Sequence, residues 1–463
     1  MLEAWHLPGL GESVAEWLEG RTRAGAEFRA PALSAAQAGA VAQSVRRAAL
    51  EARSNRTTGE VVGSIAAAAS KLSGGGAEGV ATRELLRAEL GWDERLVRDT
   101  LEGMARTWTA DSLKGLVDVE LGGSAVLDGF VADTTWTGPG HRSRRALGSP
   151  VVLQVLAGNV PGVAITATIR ALVVRSGVLC KLPESEPGLL PLFARLLAQQ
   201  DSLLGRCVAA TWWSGDSFPA AWREWAKWAG RAVVYGGDEM VEAVRASLPA
   251  DTDLVSYGPK TGVAVVLPEA SAGAARELAR DICAYDQQGC VSPRLVYVVG
   301  ESTRPFVEAL ASALAEHTRR HPPPDPTLAE AVAIRSARTA CEFAGYEDGR
   351  SLVEAPGESL AWTILASESP AATAESLPRV VWVHRVPNLE TLEDTLRTLE
   401  GRIQTLGYCG AEGLQKLAAL ATRLSVSRIA PFGSMAWPPA DWRHEGKHQL
   451  LPLVNWTDFE IPE

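Results

Sequence analysis

The chain has 463 residues, of which 46% are hydrophobic and 22% charged, and its formal net charge is −10. That length gives room for two or three domains and a large core, and the average globular composition excludes a mainly disordered or fibrous chain. The acidic balance offers no general attraction for nucleic acid or an anionic lipid surface.

Residues 1–30 show little periodicity and read as a loosely held arm, acidic and interrupted by Pro8 and Gly9, unlike an export signal. From Leu33 to about Leu121 the pattern is helical. Ser34 with Gln37 three residues on is a capping-box signature. Thr82 opens another segment, and Asp93 precedes one with Leu96, Val97, Leu101 and Met104 at helical spacing. Gly74-Gly-Gly and Gly122-Gly punctuate the region. His141-Arg142-Ser143-Arg144-Arg145 reads as a solvated loop, with contact to a phosphorylated small molecule as the alternative.

Beyond Gly123 the texture changes. Val151 to Ile169 carries no charge and is long enough to be checked as a membrane span. Gln154, Gly158, Asn159, Pro161 and Gly162 interrupt it, so strand, loop and helix in succession is the better reading, with the helix over Thr166–Val173. Residues 151–158, 177–183, 207–213, 231–237, 261–268 and 294–300 are short apolar strands. Helical stretches alternate with them, as at Pro219–Ala229, Asp238–Ser247 and Ala272–Tyr285. Such alternation implies right-handed crossovers and parallel sheets covered on both faces, so the fold class is α/β. Pro322-Pro-Pro-Asp-Pro marks an exposed loop. Residues 379–386 and 427–433 are late strands, and the tail Leu450–Trp456 is a strand that could pair across a subunit boundary.

Trp222, Trp225 and Trp228 recur along one side of a helix, with Trp212 and Trp213 nearby. Core packing is the reading, and lining an acyl or aromatic substrate tunnel the alternative. The six cysteines are dispersed, with no C-x-x-C pair and no Cys/His cluster at zinc spacing. No metal is expected, and a reducing, cytoplasmic setting is. Cys180, Cys207, Cys283, Cys341 and Cys409 read as small buried hydrophobes. Cys290 differs. In Gln287-Gln-Gly-Cys-Val-Ser-Pro it stands on a Gly-flanked turn between helix and strand, where its thiol is exposed and its backbone N–H is free to bind an oxyanion.

Four segments stand upstream of Cys290 in a particular order. They are VLQVLAGNVPG with Asn159, VLCKLPESEP with Lys181, VVYGGDEM with Gly236 and Gly237, and LVSYGPKTGVAVV around Ser256 and Gly258. Over roughly residues 125–463 this series resembles the aldehyde-dehydrogenase superfamily. Gln287-Gln-Gly-Cys-Val-Ser-Pro, Val255-Ser-Tyr-Gly-Pro-Lys, Trp442-Arg-His-Glu-Gly and the helical N-terminal extension resemble, more closely, its bacterial luminescence acyl-CoA reductase (LuxC-type) family.

The resemblance implies an aldehyde-dehydrogenase-like fold. It has an N-terminal helical region over 1–123, a dinucleotide-binding domain over 124–257 with a hairpin arm near 125–150, and a catalytic domain over 258–425. The return over 426–463 is expected to join the hairpin in oligomerisation. The resemblance also implies roles. Cys290 attacks a thioester carbonyl, and the Asn159 amide and the Cys290 N–H form the oxyanion hole. Lys181 sits at a strand end, where it could bond the cofactor ribose or a phosphate. Gly236, Gly237, Ser256 and Gly258 border the cofactor, with a helix N-terminus near Asp238 approaching its pyrophosphate. Aldehyde-oxidising members carry a water-activating Glu where this chain has Ser256. A serine cannot be that base near neutral pH, so the favoured direction is thioester to aldehyde.

The family implies NADPH. Glu184, placed where some relatives set a carboxylate against the ribose 2′-hydroxyl, keeps NADH as the alternative. His444 and Glu445 are assigned a structural role in preference to shaping the site. The expected activity is NAD(P)H-dependent reduction of a fatty acyl-CoA or acyl-carrier thioester, with an acyl-transferring or acyl-activating enzyme as a possible supplier. Reduction of an acyl phosphate and a non-catalytic scaffold are the competing readings.

Overall fold

The computed structural model describes residues 1–11, 14–215, 219–348, 351–372 and 375–462. Its first helix, Ala35–Asn55, begins where the Ser34 hydroxyl accepts from the Gln37 N–H and the Gln37 side chain reaches back to the Ser34 N–H. A second capping box, Thr57 with Glu60, starts Thr58–Ser73, and Asp93 caps Glu94–Ala105. Ala77–Leu90 and Ala110–Leu121 complete the helical region, the last stopped by Gly122 at φ 78°. Thr82 does not open a helix. It is buried in the middle of Ala77–Leu90 with its hydroxyl on the Glu78 carbonyl, because the break at Gly74-Gly-Gly sets the helix start.

Residues 1–30 are not a loose arm. Trp5–His6 pairs antiparallel with Val208–Thr211, while Leu2–Glu3, Glu27–Pro31 and Trp17–Arg21 form a small sheet with Phe28 and Ala30 fully buried. Their partners lie far along the chain or across turns, so no long local period marks them.

Two larger sheets carry the architecture. The six-stranded one runs Asp253–Tyr257, Arg231–Tyr235, Val151–Val155, Gly177–Lys181, Val208–Thr211, Trp5–His6, parallel except for the last. The chain proceeds from Val151–Val155 in one direction, then returns to Arg231–Tyr235 on the other side. That reversal leaves a crevice at the carboxyl ends of two neighbouring strands, where open α/β sheets bind ligands. The seven-stranded sheet runs Ser351–Glu354, Thr363–Ser367, Val380–Val386, Pro293–Val299, Thr261–Val266, Ile403–Cys409, Arg428–Pro431, and its first strand is antiparallel. Thr363–Ser367 and Ile403–Cys409 add to the strands expected from sequence.

The uncharged stretch from Val151 resolves into a strand, a turn and the helix Val163–Val173, and no helix among the described residues is long and apolar enough to cross a membrane. The basic stretch is no solvated loop. His141–Gly148 is a strand paired antiparallel along its whole length with Val454–Ile461, and Arg142 meets Asp133 at 2.5 Å. The C-terminal strand therefore pairs first within its own chain. Trp222 and Trp225 are fully buried, each with its ring about 6 Å from Trp213 (6.2 and 6.1 Å), in the core over the six-stranded sheet. They are packing, not tunnel lining.

Candidate active site

The helix Ala274–Cys283 ends in a strained turn: Tyr285, Asp286 and Gln287 take φ of 56°, 51° and 61°. Each such non-glycine residue costs about 1–2 kcal/mol, and such strain persists only where the surroundings over-determine it. Here they do. The buried pair Asp286–Arg379 closes at 2.9 Å. The Gln287 amide donates to the Pro293 and Val380 carbonyls at 2.8 and 2.9 Å. The Tyr285 hydroxyl donates to the Ala436 carbonyl at 3.0 Å. The turn presents Cys290, whose thiol pKa the backbone N–H groups of Cys290 and Val291 act to lower against the effect of burial.

Cys290 is half-buried rather than exposed, because the C-terminal segment around Trp442 and His444 folds over it. Burial, reinforced by Glu445, pushes the thiol up to about 12. His444 Nε2 lies 3.8 Å from the sulfur. The imidazole stacks between Tyr257 (centroids 4.4 Å apart, 12°) and Trp442 (4.8 Å, 23°). Burial, and then Arg170, Lys447 and Lys260, hold its pKa down to about 3. The pair at rest is thus a neutral thiol beside a neutral imidazole. Glu445 does different work: its carboxylate accepts the Gly258 N–H at 2.8 Å and meets Lys447 at 3.5 Å. It braces the Gly258 turn, while His444 reaches the sulfur.

Two cavities meet at Cys290 and His444. The first is a polar cleft bordered by Asn159, Gly236, Gly237 and Gly258, with positive charge from Lys260 and Arg294. Asn159 Nδ2 donates to the Gln288 carbonyl at 2.8 Å, so its amide already lies on the cysteine loop. A strap over Pro183–Gly188 holds the asparagine turn at both ends. The Ser185 hydroxyl donates to the Gly158 carbonyl at 2.6 Å, and Glu186 accepts the Gly162 N–H at 3.0 Å. Glu89 fastens the strap in turn through the Gly188 N–H at 2.7 Å. Burial raises Glu186 well above the usual carboxylate range, the nearby Glu89 adding to it, and burial raises Glu89 to about 8.

The second cavity is apolar. Met104, Trp108 and Leu116 from the N-terminal helices face Ile169, Trp437 and Trp442. The Trp108 indole N–H is satisfied by Thr166 Oγ1 at 2.9 Å. Buried Glu120 accepts the Gln449 and Leu450 N–H groups at 2.8 and 2.6 Å, fixing Ala110–Leu121 to the C-terminal segment.

Of the residues singled out in the sequence, Cys290, Asn159, Gly236, Gly237 and Gly258 come together around the cleft. Among the described residues lining either cavity, Lys181, Glu184 and Ser256 do not appear. Lys181 ends its strand half-buried, Glu184 is exposed on the strap, and the Ser256 carbonyl accepts from Lys447 Nζ at 2.5 Å. The site adds His444, Tyr257, Lys260 and Arg294. Lys260 and Tyr257 flank Gly258 in an already conspicuous turn, but nothing in sequence brings His444 to Cys290.

Comparison with known proteins is consistent in its outcome. Residues 54–456 match the family model described as Acyl-CoA reductase (LuxC). A long-chain acyl-protein thioester reductase of Aliivibrio fischeri is 26% identical over 383 residues, covering 81% of this chain and 77% of the relative. Another from Photobacterium phosphoreum is 25% identical over 355 residues, covering 76% and 70%. Among solved structures, a methylmalonate-semialdehyde dehydrogenase from Oceanimonas doudoroffii superposes with a TM-score of 0.77 at 14% identity, over 100% of this chain and 99% of that one. A salicylaldehyde dehydrogenase from Pseudomonas putida G7 gives 0.76 at 13%, over 100% and 98%. The fold is that of the aldehyde dehydrogenases.

Proposed function

Because the chain belongs to the acyl-CoA reductase (LuxC) family and reduces an acyl thioester to an aldehyde, we propose that Cys290 carries the acyl group and His444 moves its proton. The observation that supports this reading is the position of the Cys290–His444 pair where an apolar cavity meets a polar cleft. The apolar side accepts a hydrocarbon chain, and the polar side accepts the thiol carrier and then the cofactor.

As Cys290 Sγ attacks the thioester carbonyl, its proton passes to His444 Nε2, so no standing thiolate is required. The carbon–sulfur bond to the carrier breaks, and the departing thiolate takes that proton. Asn159 Nδ2 and the Cys290 N–H receive the carbonyl oxygen. When bound, a reduced nicotinamide dinucleotide supplies hydride to the acyl carbon. The same two donors hold the resulting oxyanion until the Cys290–carbon bond breaks and the aldehyde leaves. The released Cys290 thiolate then takes a proton from solvent through His444 Nε2, restoring the resting thiol. Both oxygens of Glu445 are engaged with Gly258 and Lys447, so this carboxylate is not placed to activate water for hydrolysis of the acyl-enzyme.

The cleft fits a dinucleotide. A side chain at Gly237 would meet nothing within 4 Å, so the backbone there is open to a ligand, and the helix Asp238–Ser247 starts without a side-chain cap. Asp238 and Glu239 occupy that first turn, which leaves phosphate recognition chiefly to Lys260 and Arg294. We assign NADPH, with NADH as the alternative, and place Lys181 and Glu184 toward the adenosine end. Under this reading the six-stranded sheet is the nucleotide domain and the seven-stranded one the catalytic domain. Exposed Trp456, Phe459 and Ile461 on the C-terminal strand support subunit contact there. No disulfide joins the six cysteines, all of them among the described residues, in keeping with a cytoplasmic setting.

The test is NADPH and NADH oxidation with tetradecanoyl-CoA, wild type beside Cys290→Ala, with the aldehyde measured directly. Turnover in the wild type and its loss in the variant are expected. Wild-type turnover with acyl phosphates alone would transfer the assignment to that substrate class, and unchanged turnover in Cys290→Ala would end the covalent mechanism.

A further inference from the structure

We infer that Trp437 is the end wall of the acyl-chain tunnel and, with Gly103 behind it, sets the longest chain the enzyme accepts; this rests on the thioester reading above. The indole borders the apolar cavity. It also borders a separate cleft between the helix Glu94–Ala105 and the helix Arg304–Arg320, where Asp99, Glu102, Arg106, Arg280, His317 and His321 gather. Gly103 and Trp437 belong to both cavities, so the ring is the partition between them.

The partition is held rather than loosely placed. Any side chain at Gly103 would overlap the six-membered ring of Trp437, so the indole lies flat on the glycine backbone. Tyr285 packs on it at 4.8 Å between centroids, and the Tyr285 hydroxyl is tied to the Ala436 carbonyl beside it. Beyond the ring the lining changes from apolar to ionic. A methylene on the near side leaves water for hydrocarbon, whereas one pushed past the ring gains nothing and desolvates charged groups. Each methylene that fits therefore raises kcat/KM about fourfold, and the gain stops at Trp437.

The experiment measures kcat/KM for straight-chain acyl-CoAs from hexanoyl to octadecanoyl with wild type, Trp437→Ala, Trp437→Leu and Gly103→Ala. Dissociation constants for the matching alkanoic acids are measured alongside, so the wall is read independently of turnover. Wild type should climb and then break. In Trp437→Ala and Trp437→Leu the break should move to longer chains by about two methylenes or more. In Gly103→Ala, which drives the ring inward, it should move to shorter ones. An unchanged break in variants whose melting curves match wild type would overturn the inference. Absence of acyl-CoA turnover together with a shifted break in alkanoic-acid binding would instead remove the thioester reading and leave the wall standing.

Discussion

His444 Nε2 lies 3.8 Å from Cys290 Sγ, with Tyr257 and Trp442 stacked on the two faces of the imidazole so that only its edge meets the sulfur. The stacking fixes the ring's orientation without a charged partner. Burial keeps it neutral and also weakens it as a base, so it takes the proton only as the bond from sulfur to the carbonyl carbon forms. His444→Ala should lower acyl-enzyme formation by about 10²–10⁴, read as the single-turnover yield of acylated protein by mass spectrometry. An unaffected rate would return His444 to a purely structural role.

The same environment dictates a pH dependence. With the thiol pushed up to about 12, thiolate is a small fraction throughout the neutral range. Alkylation of Cys290 by iodoacetamide should therefore rise about tenfold per pH unit between neutrality and moderate alkalinity. A plateau near neutral pH would reveal a standing thiolate–imidazolium pair instead.

Asn159 is aimed from a turn that the Ser185 and Glu186 side chains hold at both ends. Because the amide acts on the oxygen as charge develops, Asn159→Ala should cost about 10²–10³ in kcat with little change in KM. Steady-state kinetics at saturating nucleotide distinguish this from a binding role, in which KM alone would move.

Arg379 pairs with Asp286 at 2.9 Å inside the strained turn, both side chains almost fully buried. Arg379→Met leaves the carboxylate without its charge partner and should destabilise the protein by about 3–5 kcal/mol. The midpoint of chemical unfolding measures this. Adding Asp286→Leu should recover part of the loss, and failure to do so would mean that the turn, rather than the charge, was the problem.

Glu89 supplies a stability prediction of definite sign. Burial raises its folded pKa to about 8 from an ordinary value of 4.5, so between those values the folded state binds the extra proton. Stability contributed by the protonated form is complete below the lower value and is lost as pH rises through the upper one. Glu89→Gln keeps an acceptor for the Gly188 N–H and removes the titration. The variant should melt with wild type at pH about 4.5 and above it at pH about 9, by an amount on the order of a few kcal/mol. Equal melting at both pH values would mean that Glu89 stays ionised when buried.

Local signals carried much of this protein. Capping residues placed the starts of Ala35–Asn55 and Glu94–Ala105, though not that of Ala77–Leu90, and apolar runs alternating with helices placed most of the parallel strands. The glycines and the cysteine of the turns marked the cleft border, because each of these depends on neighbours a few residues away. The pairing of Trp5–His6 with Val208–Thr211, the meeting of Cys290 with His444 and the closure of Met104, Trp108 and Trp437 around one cavity belong to another class. Each joins segments far apart in the chain, through ring stacking or backbone ladders that have no local period. A cysteine that looks exposed on its own turn is therefore half-buried in the fold, and its reactivity is decided by a segment that arrives from the other end of the molecule.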